Sequence, residues 1–179
     1  MDNEGVSIGM DFIDLKKCSN LWEKADLVIS SIRDFVDKKP VDIDAIFVEE
    51  NLQVFRRGLS SARTLMTLAK FNGIICYALR QQFNLDPISI NVNEARRSVG
   101  LKIISKKKGG IPTKEQVIEW TAAELNDTNF HWPTKTLKSG PRQGQVILIP
   151  GCADMADAYV ICRAALALYT SSEGQYYTI

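Results

Sequence analysis

The chain has 179 residues, 45% of them hydrophobic, which is enough for one domain with a real core and too few for two of ordinary size. No stretch approaches the roughly 18 uncharged apolar residues of a membrane span, and Met1 to Gly9 is too polar for a signal peptide, so a soluble, cytoplasmic protein is expected. The net charge is only +1, but residues 1–51 hold twelve Asp or Glu against six Lys or Arg, whereas residues 52–114 hold twelve Lys or Arg against Asp86 and Glu94 alone. That surplus is the footprint expected of a phosphate-binding surface, and equally of a solvated basic face.

Val6 to Leu15 reads as a strand. Asn20-Leu-Trp-Glu23 matches a capping box, opening a helix to about Asp37 with Leu21, Ala25, Val28, Ile29, Ile32, Phe35 and Val36 on one face. Lys39-Pro40 ends it. Ile43 to Val48 is short, apolar and mostly β-branched, as in a strand covered on both faces, and it stops at Glu49-Glu50. The longest helix is expected from about Ser60 to Phe83, with Leu65, Leu68, Ala69, Ile75, Ala78 and Leu79 on its apolar side.

Pro87 to Val92 is a second short strand. The basic segment 96–108 ends in Gly109-Gly110 and Pro112, which read as a mobile loop. Thr113 to Gln116 is another capping-box match for a helix through Leu125, and the polar tract at about 126–144 reads as an insertion of unreadable fold. Val146 to Ile149 reads as one more strand before a final helix from about Ala153 to Tyr169. Strands alternating with helices imply a single α/β domain over residues 1–179, with a mixed sheet flanked by helices. The four cysteines, Cys18, Cys76, Cys152 and Cys162, lack zinc-like spacing and fit as reduced core thiols.

The only histidine, His131, lies in the polar insertion, which leaves Ser-His and Cys-His nucleophile systems little to build on. No phosphate-cradling GxxxxGK[ST] or GxGxxG turn is present. What remains is acidic. Glu49 follows an apolar strand at its carboxyl end, where ligands of open α/β sheets collect. Asp154 and Asp157 sit three apart at the start of an apolar helix, on one face near the positive end of its dipole, where they could share a hard cation. The plainer alternatives are an N-cap for Asp154 and a salt bridge for Glu49.

Ile46-Phe-Val-Glu-Glu50 resembles the second catalytic strand of RuvC-like Holliday junction resolvases, and Asp154-Met-Ala-Asp157-Ala158 resembles that family's Asp-x-x-Asp-Ala element at the start of the last helix. Between them, Asn93-Glu-Ala-Arg-Arg-Ser-Val-Gly100 and Lys114-Glu-Gln-Val117 are similar to its basic segment and Lys-x-x-Val helix start, in the family order. The resemblance implies a ribonuclease H-like fold and an endonuclease acting on branched or four-way-junction DNA. It assigns Glu49, Asp154 and Asp157 to catalysis through Mg2+ or Mn2+, and Arg96, Arg97, Lys102, Lys106, Lys107, Lys108 and Lys114 to DNA binding. It also implies a homodimer paired through the long helix, whose Leu65, Met66, Phe71, Ile74 and Ile75 exceed the needs of one core-facing stripe.

The departure is at the front. The family opens with a strand ending in an Ile-Asp-x-Gly type element and a hairpin, and no matching hairpin precedes Asn20 here. Residues 6–15 therefore read as the family's third strand, with Asp11 and Asp14 as surface or capping acids and one metal ligand missing. The alternative is a non-catalytic nucleic-acid-binding protein on the same fold. The sugar-kinase and actin-like ATPases share that core, but their glycine-rich phosphate turns are not found in this sequence.

Overall fold

The structure is a computed structural model that describes residues 1–2, 4–39, 41–50, 62–126 and 130–171. It is a mixed α/β arrangement in which the described residues form five α-helices and two small sheets. The chain divides into two compact units, one of Ile13–Val92 and one that joins Met1–Phe12 to Asn93–Ile179.

In the first unit, helix α1 (Leu21–Asp37) starts where the capping pattern places it. The Asn20 side chain accepts from the backbone N–H groups of Trp22 and Glu23, and Glu23 reaches back to the backbone N–H of Ser19 at 2.8 Å. Strand β1 (Phe47–Glu49) and strand β2 (Ile88–Ile90) pair in parallel, Phe47 opposite Ile88 and Glu49 opposite Ile90. Helix α2 (Ala62–Phe83) connects them and packs against α1. Residues 60 and 61, expected to open this helix, lie outside the described residues, as does Pro40.

Both strands are shorter than their apolar runs. The ladder begins with the N–H of Ile88 donating to Ile46 at 2.8 Å and ends with the N–H of Glu50 donating to Ile90 at 2.8 Å. Helix α2 ends on Asn84, whose positive φ of 54° is the left-handed cap conformation that asparagine tolerates. Its N–H closes onto the Arg80 carbonyl at 2.8 Å.

The second unit is built around helix α5 (Gly151–Ser171). Cys152, Ala153, Met155, Ala156, Tyr159, Val160, Ile161, Ala164 and Ala165 are all buried, so this helix is covered nearly all round. Helix α4 (Thr113–Glu124) packs on it through buried Val117 and Thr121, with the Trp120 and Tyr159 rings 6.3 Å apart. Helix α3 (Val92–Ser98) adds buried Ala95. The N-terminal arm reaches the same helix at two places. The Phe12 ring lies where a Cβ on Gly151 would fall, which requires glycine there, and the Gly5 carbonyl accepts from the Arg163 guanidinium at 3.5 Å.

Val6 to Leu15 forms no strand. Aspartates compete with a ladder by offering their own oxygens to nearby backbone N–H groups. Asp2 accepts from Val6, Asp11 from Phe12 and Asp14 from Lys16, which makes Asp11 and Asp14 local capping acids. Instead of one mixed sheet, the described residues form two separate pairs, the second being strand β3 (Thr134–Thr136) antiparallel to strand β4 (Val146–Leu148). All four cysteines are free thiols, and Cys152 alone is fully buried. No helix among the described residues is long and apolar enough to cross a membrane.

Candidate functional site

The parallel β1–α2–β2 unit brings the carboxyl ends of two strands together, and the acidic pair sits at that end. Glu49 closes β1 with an exposed side chain, and its backbone carbonyl accepts from the Asn72 side chain of α2 at 3.1 Å. Glu50 is half-buried. Its N–H donates to the Ile90 carbonyl at 2.8 Å, and its carboxylate accepts from the Asn91 side chain at 3.1 Å. The carboxylate of Glu50 is tied to the end of β2, and the side chain of Glu49 is the more exposed of the two.

On α5 the acids occupy the one polar stripe that burial leaves. Asp154 is exposed, Asp157 is half-buried one turn later, and Ala158 beside it is exposed. Three-residue spacing puts the two aspartates on a common face. Asp154 makes no hydrogen bond or ion pair with the described residues. Asp157 is engaged: its Oδ1 accepts from the Arg96 guanidinium of α3 at 2.7 Å, with the two side chains 16% and 22% exposed. The Nε of Arg96 is buried without a hydrogen-bond partner among the described residues. Arg96 therefore differs from the other six basic residues of its segment, because its charge is spent inside the unit.

Those six are exposed. Arg97 lies 3.8 Å from Glu94, at three-quarters exposure on both sides, a pair that water largely screens. Lys106–Lys108 form a single 3-10 turn closed by Gly109 at φ 84°. The segment expected to be mobile is pinned. The Gln116 side chain accepts from the Ile104 N–H at 2.8 Å and donates to the carbonyls of Ile104 and Ile111 at 2.8 and 2.7 Å. A Cβ on Gly110 would run into the Ile104 carbonyl, so only glycine lets the two backbone stretches approach this closely. The second capping-box expectation is corrected by the same contacts: the Gln116 amide serves the loop, and no side chain caps α4 at Pro112.

Glu49, Asp154 and Asp157 all offer hard carboxylate oxygens, the donor type that Mg2+ takes, and Asp157 keeps Oδ2 beside the oxygen held by Arg96. Glu49 belongs to one unit and the two aspartates to the other. Among the described residues no three His, Cys, Asp or Glu side chains gather as a metal-holding group.

Two features of the site region were not read from sequence. The first is Gln116, whose place three residues into a helix start suggested a cap. The second is strand β3 within the polar insertion and its pairing with β4, which lies where a strand was expected over Val146 to Ile149. Its signals are Gly140-Pro141 and Gly144, with positive φ of 87° and 86° at the two glycines. No family model, curated protein or solved structure matches the chain.

Proposed function

We propose that the chain is a RuvC-like protein of the ribonuclease H fold that acts inside the cell on branched DNA, four-way junctions above all. In this reading it hydrolyses phosphodiester bonds with Mg2+ or Mn2+ held by Glu49, Asp154 and Asp157. The observation that carries it is the parallel β1–α2–β2 unit with Glu49 and Glu50 at the carboxyl end of its first strand, the place where open α/β sheets collect ligands. Bound there, the ion supplies charge that activates water and steadies the leaving oxygen. The chain's own part is to bring carboxylates to it and to hold the DNA backbone with Arg97, Lys102, Lys106, Lys107, Lys108 and Lys114.

The test is a cleavage assay on a labelled four-way junction across a Mg2+ and Mn2+ titration. Metal-dependent cutting that is abolished by Glu49→Gln, Asp154→Asn or Asp157→Asn supports the reading. Cutting that survives all three substitutions sinks it.

A second reading, a nucleic-acid-binding protein without metal chemistry, draws on the Arg96–Asp157 pair. A guanidinium at 2.7 Å already neutralises one of the carboxylates that the metal would need. Junction binding indifferent to chelator, with no cutting at any metal concentration, supports this alternative. The Arg96→Gln variant separates the two further. In the catalytic reading it frees Asp157 and tightens metal dependence; in the binding reading it only destabilises the unit, by about 2 kcal/mol for a lost charge-assisted bond.

A further inference from the structure

The strands β3 and β4 form an antiparallel hairpin in which Thr134 faces Leu148, Lys135 faces Ile147 and Thr136 faces Val146. The ladder runs on beyond them. Leu137 donates to Gln145 at 2.9 Å, Gly144 donates to Leu137 at 2.9 Å, and Ile149 donates to Pro133 at 3.1 Å. Both edges of the sheet are open, because the described residues give it only two strands. The Pro133 carbonyl also accepts from the Cys152 thiol at 3.3 Å, which ties the base of the hairpin to the first turn of α5. Phe130 and Trp132 stack edge to face at 5.2 Å beside that base.

Side chains alternate along a strand, and directly opposed residues share a face. Thr134, Thr136, Val146 and Leu148 therefore make one face, uncharged and rich in methyl groups, and every one of the four is exposed, Val146 at 64%. An unpartnered β face of this kind is unusual in a chain that has a buried core to offer. The charges within the hairpin have one sign. From residue 128 to residue 153 there is no Asp or Glu, while Lys135, Lys138 and Arg142 are all exposed and form no ion pair among the described residues.

We infer that the hairpin is a DNA-binding β-ribbon that enters the major groove of double-helical DNA. Its Thr134, Thr136, Val146 and Leu148 face would meet the base edges, and Lys138 and Arg142, in the connection between the strands, would meet the flanking phosphates. The inference rests on the DNA-binding reading above and adds to it a surface outside the segment from Arg96 to Lys114. The major groove, about 12 Å wide, admits a two-stranded ribbon; threonine methyls and hydroxyls are among the groups that contact thymine methyls and base edges there. The deep, narrow major groove of A-form RNA does not admit it. A hairpin whose own charges are all positive matches a polyanion, and its uncharged face matches the groove floor.

The experiment uses the full chain with a four-way junction, a linear duplex and a double-stranded RNA of equal length. Two ribbon variants are compared with the wild type: Lys138→Gln with Arg142→Gln, and Val146→Asp. Circular dichroism and thermal unfolding check that both remain folded, as substitutions at exposed positions should. The charge variant should bind DNA at least about tenfold more weakly, and its salt dependence should flatten by about 0.9 in log–log slope per phosphate contact, about 1.8 for two. The wild type should protect guanine N7, a major-groove atom, from dimethyl sulfate, and Val146→Asp should lose that protection.

Unchanged binding and protection in both ribbon variants, while neutralising Lys106 to Lys108 weakens binding, overturns the ribbon and leaves the DNA-binding reading intact. Equal weakening toward RNA and DNA overturns the major-groove assignment. A wild-type chain that binds no DNA at all overturns both readings together.

Discussion

Two residues report on how tightly the chain controls its polar groups. Thr121 is fully buried between α4 and α5, and its hydroxyl has no partner among the described residues. An unsatisfied buried hydroxyl costs about 1–3 kcal/mol, and valine keeps its shape. Thr121→Val should therefore raise stability by about 1 kcal/mol in urea unfolding; a loss of stability would mean that the hydroxyl is satisfied after all. Glu23 illustrates the opposite case. Its carboxylate accepts from the Ser19 backbone N–H, the Ser19 hydroxyl and the Asn20 amide, and the Ser19 bonds hold its pKa below the ordinary glutamate value. A carboxylate with a depressed folded pKa contributes stability above its unfolded pKa, and that contribution is lost as pH falls through the folded value. The difference in urea midpoint between wild type and Glu23→Gln should be present at pH 7 and shrink as pH falls through the lowered folded-state pKa of Glu23. A constant difference across that range would assign the effect to shape alone.

At the scale of elements, the Lys106–Lys108 turn is the informative case. Three bonds from Gln116 hold the two ends of the loop, at about 1 kcal/mol net for each. Gln116→Ala should let trypsin cut after Lys106 to Lys108 on the order of tenfold faster or more, since proteolysis follows the population of the opened loop. An unchanged rate would show that Gly110 and the turn hold the loop without Gln116. The same loop marks the limit of reading from sequence. Helices α1, α2, α4 and α5 were legible because apolar periodicity and caps are local signals. The parallel strands were legible in position but not in length, since an apolar run does not mark where the rungs to its partner stop. Gln116 could not be assigned, because its bonds go to residues 5 and 12 positions away and a helix-start glutamine has a local use that looks equally good. The acids of the candidate site were all named, yet the pairing of Asp157 with Arg96 joins residues 61 apart and leaves no local trace.

For the whole molecule, the distribution of apolar surface bears on assembly. On α2, Met66, Leu68 and Tyr77 are 62%, 51% and 64% exposed, whereas Leu65, Phe71, Ile74 and Ile75 are only half-exposed. A second copy covering this helix would remove that surface from water, so sedimentation should show a concentration-dependent dimer, and Met66→Lys with Tyr77→Lys should shift it to monomer. A strict monomer at high concentration, with or without junction DNA, counts against the pairing. The order of the chain carries a further consequence. The unit that contains α5 is discontinuous, and its arm of residues 1–12 meets partners found only after residue 92, with the contact from Gly5 to Arg163 spanning 158 positions. During synthesis, residues 13–92 have all of their own unit's partners by the time Val92 is made, while the arm waits for α5. A loop that long closes late, because its ends must be found before the contact rewards them. The polypeptide thus has a built-in assembly sequence, in which the β1–α2–β2 segment forms first and the arm is fastened last, and pulse-labelled amide exchange should protect Val48 and Ile90 before the backbone around Gly5.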